Sequence, residues 1–273
     1  GSLVIDGFTI TNGLSEFGGG GGNINPLGDA HVTLSSVRII SNAVSRSTGI
    51  AGGGLNAELE NAQHLEVLDC RIRGNSATSN GGGVVKGGGL SIRAIGDSSF
   101  LIQGCEIDNN AVESTGQVWS AGLRIYLQDN AQGELLGATI AENTADSTDI
   151  WVSGCSIRKR GSGTVNVERT AIGLNTSTGG GAGPQLWIDT SDSSSLRMSD
   201  SLVVLGDHDA MDVRADNTST VNLVNLTVAD NAEKGVFMGQ FGSSTMTLYN
   251  TISFGNLNDF SILNGSVDTG SNL

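Results

Sequence analysis

Apolar and polar positions in this 273-residue chain recur in a register longer than any helix or strand period. Aligning on a repeated asparagine (Asn42, Asn75, Asn110, Asn143, Asn175, Asn231 and Asn256, with Gly13 and Gly206 in the same place) brings the whole chain into phase. Three residues earlier stand Ile10, Ile39, Ile72, Ile107, Ile140, Ile172, Val203, Val228 and Ser253, and further mostly apolar columns lie five, eight and ten residues before the asparagine. A spacing of two within each pair is that of a strand with one face buried, and the odd residue between pairs marks a bend.

A third strand follows, with inward pairs Leu55/Ala57, Leu90/Ile92, Leu123/Ile125, Ile150/Val152, Leu186/Ile188, Met211/Val213, Val236/Met238 and Phe260/Ile262. The next coil's first core position comes eight residues after nearly every pair, but 13 residues after Val152. That surplus reads as an insertion containing "IRKRGSG". Nine coils of 25 to 35 residues, each with three short strands, predict an all-β chain: a right-handed parallel β-helix, or solenoid, forming one domain over residues 1–273. One coil alone buries too little to offset its ordering entropy, so stability must come from stacking.

Glycine is abundant, with 41 residues, and "GGGL" occurs at 52–55 and 87–90, just before the third strand. A tight turn or bulge there needs the positive φ that glycine adopts freely. The repeated asparagine is expected to take a left-handed turn and to hydrogen-bond from coil to coil. No strand–glycine–helix pattern suggests a phosphate loop.

The net charge of −14 opposes nucleic-acid binding, and no apolar run is long enough to insert in a membrane. Three cysteines give no disulfide framework; Cys70 and Cys105 share an inward column and are expected as buried thiols.

The "GGGL" segments, together with "SVRIISNAV", "CRIRGNSA", "CEIDNNAV", "ATIAENTA" and "LTVADNAE", resemble the repeats of bacterial polymorphic outer-membrane proteins, whose Gly-Gly-aliphatic motif alternates with an aromatic-or-aliphatic-x-x-Asn motif. The closing "NTISFGNLNDFSILNGSVDTGSNL" is similar to the last coil of choice-of-anchor surface proteins. The resemblance implies a pectate-lyase-like β-helix, secreted or displayed on a bacterial cell surface and adhesin-like. The chain is then expected to be a fragment of a longer exported protein, with a polysaccharide or a host or neighbour cell surface as partner.

Candidate chemistry falls on the outer face of the third strand. Trp151 and Trp187 are expected there on neighbouring coils, with Tyr126 and Phe237 close by and Trp119 in the loop entering the same strand. With Arg124 and Arg214 they suggest a sugar-binding platform, since aromatic faces supply flat apolar area and charges orient hydroxyls or uronic carboxylates. Rings packed beneath folded-over loops are the other reading. Connections from the asparagine to the third strand take 13, 15 and 13 residues in coils two to four but 5, 5 and 4 in coils seven to nine, so a wall should flank this face. Asp189 and Asp212, with His208 in "GDHD" at the same edge, are the catalytic candidates of a polysaccharide lyase or glycoside hydrolase, an alternative to pure binding. A structural spacer is the third reading.

Arg158, Lys159 and Arg160 form a basic cluster in an acidic chain, expected as a solvated loop or a contact for a polyanionic glycan. His31 and His64 stand one coil apart at equivalent positions, but Ser99 comes next in that column, so no metal site is expected. No cofactor is implied; scattered aspartates leave Ca²⁺ as a candidate ion without the repeated GGxGxD nonapeptide.

Overall fold

The computed structural model describes residues 1–16, 18–180 and 182–264, so the last nine residues of the closing segment lie outside it. The described residues form parallel sheets and no helix. Three sheets have nine strands each, and within each sheet neighbouring strands come from successive repeats. In the first sheet His31–Ser35 lies between Ser2–Asp6 and His64–Leu68. In the second, Ile39, Ile72, Ile107 and Ile140 pair directly, one above the next. The third holds Leu55–Leu59, Leu90–Ala94 and Leu123–Leu127 in register. The molecule is a β-solenoid whose core runs along its axis, filled by the columns of Ile, Val and Leu read from the sequence.

The asparagine column is a buried hydrogen-bond ladder. Asn75 Nδ2 donates to Asn110 Oδ1 at 2.9 Å and to the Ile39 carbonyl at 2.9 Å, and the Asn75 backbone N–H donates to the same Asn110 Oδ1 at 3.0 Å. The pattern repeats through Asn110, Asn143 and Asn175, so each carboxamide is satisfied by its neighbours. The left-handed residue is not the asparagine, as expected, but the one before it: Ser41, Asn109, Glu142, Leu174 and Asp230 all have φ between 54° and 57°. That corner turn frees the asparagine to point inward.

The glycine triplets serve the same ladder. Gly52 and Gly87 have φ of 67° and 76°, while a β-carbon on Gly89 would lie 2.7 Å from Asn110 Nδ2. The last glycine therefore leaves room for the next rung's asparagine. Where that asparagine is Gly206, the preceding glycine becomes Gln185, whose Oε1 accepts from Asn175 Nδ2 at 2.8 Å. A β-carbon on Gly206 would lie 2.7 Å from the Gln185 side chain. The two positions have exchanged the carboxamide.

The long connections are ordered strands rather than loops. A six-stranded sheet containing Ala43–Arg46, Ser76–Ser79 and Ala111–Ser114 runs outward, and a four-stranded sheet of Ile50–Ala51, Val85–Lys86, Gln117–Ser120 and Asp149–Ile150 runs back. Val44, Ile50, Ala77, Val85, Val112, Val118, Ala121, Ala145 and Ile150 form a second core between them. The wall expected from the connection lengths is thus a two-layered fin. It accompanies the early rungs; after Thr176–Thr178 no strand is added to either fin sheet among the described residues.

One register differs from expectation. The third-sheet strand opposite Leu123–Leu127 and Leu186–Thr190 is Cys155–Lys159, with Cys155 and Ile157 inward in place of Ile150 and Val152. Ile157 to Val165 restores the eight-residue interval, and the insertion disappears. Ile150 belongs to the fin core instead. Lys159 is no solvated loop residue: it is fully buried, its Nζ donating to the Asp129 carbonyl at 2.8 Å and the Arg160 carbonyl at 2.6 Å.

Candidate functional site

The fin's returning sheet and the third sheet together line a cavity of about 340 Å³ in the corner between them. Lys86 and Trp119 line it from the fin; Glu58, Arg93, Arg124, Tyr126 and Arg158 line it from the third sheet. These third-sheet side chains follow from alternation: the inward residues fill the core, so the residues between them face the corner. Trp119 is delivered by an irregularity. Val85 pairs with Val118 but Lys86 pairs with Ser120, so the ladder passes over Trp119. Such a bulge re-aims one side chain.

Four cations and one carboxylate among these residues make a basic corner in a protein of net charge −14. Arg93 is paired with Glu60 at 3.6 Å, and Arg158 with Asp189 at 3.0 Å. Arg124 and Lys86 have no ion pair among the described residues. Arg124 is buried, with its guanidinium carbon 5.2 Å from the Trp119 ring centroid and 5.3 Å from that of Tyr126, and one 3.4 Å hydrogen bond to Ser91. Burial, with Arg93 and Arg158 nearby, draws its pKa down to about 10, which still leaves it charged at neutral pH. The Lys86 ammonium lies 5.4 Å from the Trp119 centroid, and its pKa is lowered first by burial and then by Arg124. Cation–π contacts offset part of the cost of burying these charges, and an incoming anion would offset more.

The tryptophans continue from this corner as a row. Trp119 and Trp151 stack at 5.7 Å, and Trp151 meets Trp187 edge-on at 5.5 Å. The expected alignment of all three is present, but Trp151 arrives from the end of the fin rather than from the third sheet, where Ser156 holds the place assigned to it. Trp151 is 38% exposed and Trp187 only 9%, so one ring is accessible and the other packs beneath it.

Of the remaining candidates, Asp189 meets the corner through Arg158, whereas Asp212, His208 and Phe237 do not line it. Asp189 is ion-paired with Arg158 at 3.0 Å and lies 4.0 Å from Arg160; Asp212 accepts from Arg214 at 3.0 and 2.8 Å. Both carboxylates are engaged by guanidinium groups, and the strands set Asp189 opposite Arg214 and Asp212 opposite Trp187, not opposite each other. His208 contacts Glu233 at 3.3 Å. Phe237 lies beneath the Lys234 ammonium, 5.8 Å away. Cys70, Cys105 and Cys155 are free, buried thiols.

Sequence reasoning reached Trp119, Arg124 and Tyr126 and named Arg158 as a possible glycan contact, though in an insertion rather than on the third sheet; it did not single out Lys86, Arg93 or Glu58. The segment "GGGVVKGGGL" holds the signal for Lys86: a lone cation at the close of a fin strand. No family model, curated protein or solved structure matches the chain.

Proposed function

We propose that this β-solenoid is a carbohydrate-binding, adhesin-like module of an exported bacterial cell-surface protein, and that its basic corner holds an acidic sugar. The observation that carries this reading is Arg124: a buried guanidinium with no carboxylate ion-pair partner among the described residues, placed between two aromatic faces. A uronic carboxylate would complete its ion pair while the sugar ring lies on Trp119 and Tyr126, and Trp151 extends the surface for a further residue. We infer nine right-handed coils, a reading supported by three sheets of nine strands and by the usual handedness of parallel crossovers. The Gly-Gly-aliphatic and x-x-Asn repeats support a place on the cell surface, by their likeness to polymorphic outer-membrane proteins.

The test is a panel of neutral and uronic-acid oligosaccharides read by tryptophan fluorescence. Saturable binding of the acidic members alone, lost in Arg124→Met, supports the reading. New reducing ends or unsaturated uronides would replace it with a lyase or hydrolase, and no binding to any member would favour a spacer.

A further inference from the structure

The outer face of the first sheet carries a cluster that neither the fold nor the proposed sugar site uses. We propose that His31, His64 and Glu66 form a zinc site that clips two adjacent rungs together, with the fourth position left to water. The two histidines are direct partners in the parallel ladder, and their rings lie 4.7 Å apart, edge to face. The third ligand, absent from the histidine column itself, comes from two positions along the same strand, where alternation returns the side chain to the same face. His31 Nε2 is 3.2 Å from Glu66 Oε2, His64 Nε2 is 3.6 Å from Glu66 Oε1, and the three ligand atoms all lie within 4.8 Å of one another. A tetrahedral zinc with bonds of ~2.0–2.1 Å sets its ligand atoms ~3.3 Å apart. Small side-chain rotations bring this trio to that spacing.

The surrounding groups orient the ligands. His64 Nδ1 lies 2.7 Å from the Ser99 hydroxyl; donating there leaves the Nε2 lone pair facing the cluster. Thr33 donates to Glu66 Oε2 at 3.0 Å, and this bond, with the two histidines, holds the Glu66 carboxyl below the usual range despite the opposing effect of burial. The His31 side chain is 46% exposed, which gives the ion a way in and a place for water. Two imidazoles and one carboxylate suit zinc, whereas calcium takes six to eight oxygens. The chain's three thiols, the other soft ligands, are all buried.

Tag-free protein titrated with Zn²⁺ against a chromophoric chelator should bind one equivalent, and Zn²⁺ should raise the melting temperature. His64→Gln and Glu66→Gln should each weaken binding at least ~100-fold, and Ser99→Ala about 10-fold, with circular dichroism unchanged. Co²⁺ substituted for zinc should give the visible bands of a nitrogen–oxygen site without thiolate charge transfer. Absence of stoichiometric zinc binding, a thiolate spectrum, or affinity unmoved by both His64→Gln and Glu66→Gln would overturn the site. These outcomes are independent of sugar binding.

Discussion

The early and late rungs present the same third-sheet face in two different ways. Where the fin is present, Arg124 sits buried in a corner with aromatics on either side, and among the described residues no carboxylate lies within ion-pair distance of it. Beyond the fin, Arg214 projects from an equivalent face, exposed and bidentate to Asp212. The exchange of Asn/Gly for Gly206/Gln185 falls just past the fin's last strand, so the internal ladder changes where the outer surface does. The comparison teaches that strand position alone does not make a site. A second wall removes a side chain from water and leaves its charge for a ligand to answer.

The largest expected effect separates these two arginines. Arg124→Met should lower affinity for a uronic-acid oligosaccharide about 100-fold, roughly 3 kcal/mol, because a desolvated charge pair is lost. Arg214→Met should change it less than about twofold. Equal losses would erase the distinction.

Next, the ladder exchange is open to a double-mutant cycle. Gln185→Gly leaves the Asn175 N–H and carboxamide without their acceptor and should cost about 2–3 kcal/mol of unfolding free energy in urea. Adding Gly206→Asn should recover most of that loss by recreating the pattern of the early rungs. Recovery of nothing would mean that the two positions are not exchanged equivalents.

Trp119→Ala should weaken sugar binding about tenfold, the worth of one stacking and cation–π surface, whereas Phe237→Ala on the late rungs should leave it unchanged. Stability should move the other way. Arg124→Met should raise unfolding free energy by about 1 kcal/mol, since it replaces an unpaired buried charge with an apolar chain. Arg214→Met, which removes an exposed pair, should alter it by less than about 1 kcal/mol.

Lys159 offers the most selective effect, confined to alkaline pH. Burial brings its pKa down to about 8, so the folded protein releases this proton before the unfolded chain does. The cost of holding the charge inside is fully present below about pH 8, and stability should rise between about pH 8 and 10.5. Urea midpoints at either end of that window should show the rise in the wild type and its loss in Lys159→Met.

Most of the solenoid was legible because its core repeats in type and spacing. Ile39, Ile72, Ile107 and Ile140 announce one another, and the buried asparagines mark the corner. The register failed where the repeat disguises itself. Ile150-Trp151-Val152 alternates as a strand should, while Cys155-Ser156-Ile157-Arg158-Lys159 hides a buried strand behind polar letters and an inward lysine. The eight-residue interval from Ile157 to Val165 was the stronger signal, because turn geometry tolerates less variation than side-chain type. The site was half legible. Trp187 and Arg124 could be placed by counting, but Trp151 and Arg158 were lost to the register error, Lys86 enters through the fin's fold, and Glu66 joins the histidines from outside their column.

The most direct measurement is calorimetric titration of a uronic-acid trisaccharide into the wild type and into Arg124→Met. We expect one-to-one binding that weakens with added salt and is lost when Arg124 is replaced. A wild type that gives no binding heat, or an Arg124→Met protein that binds as tightly as the wild type, would contradict an acidic-sugar site in this corner.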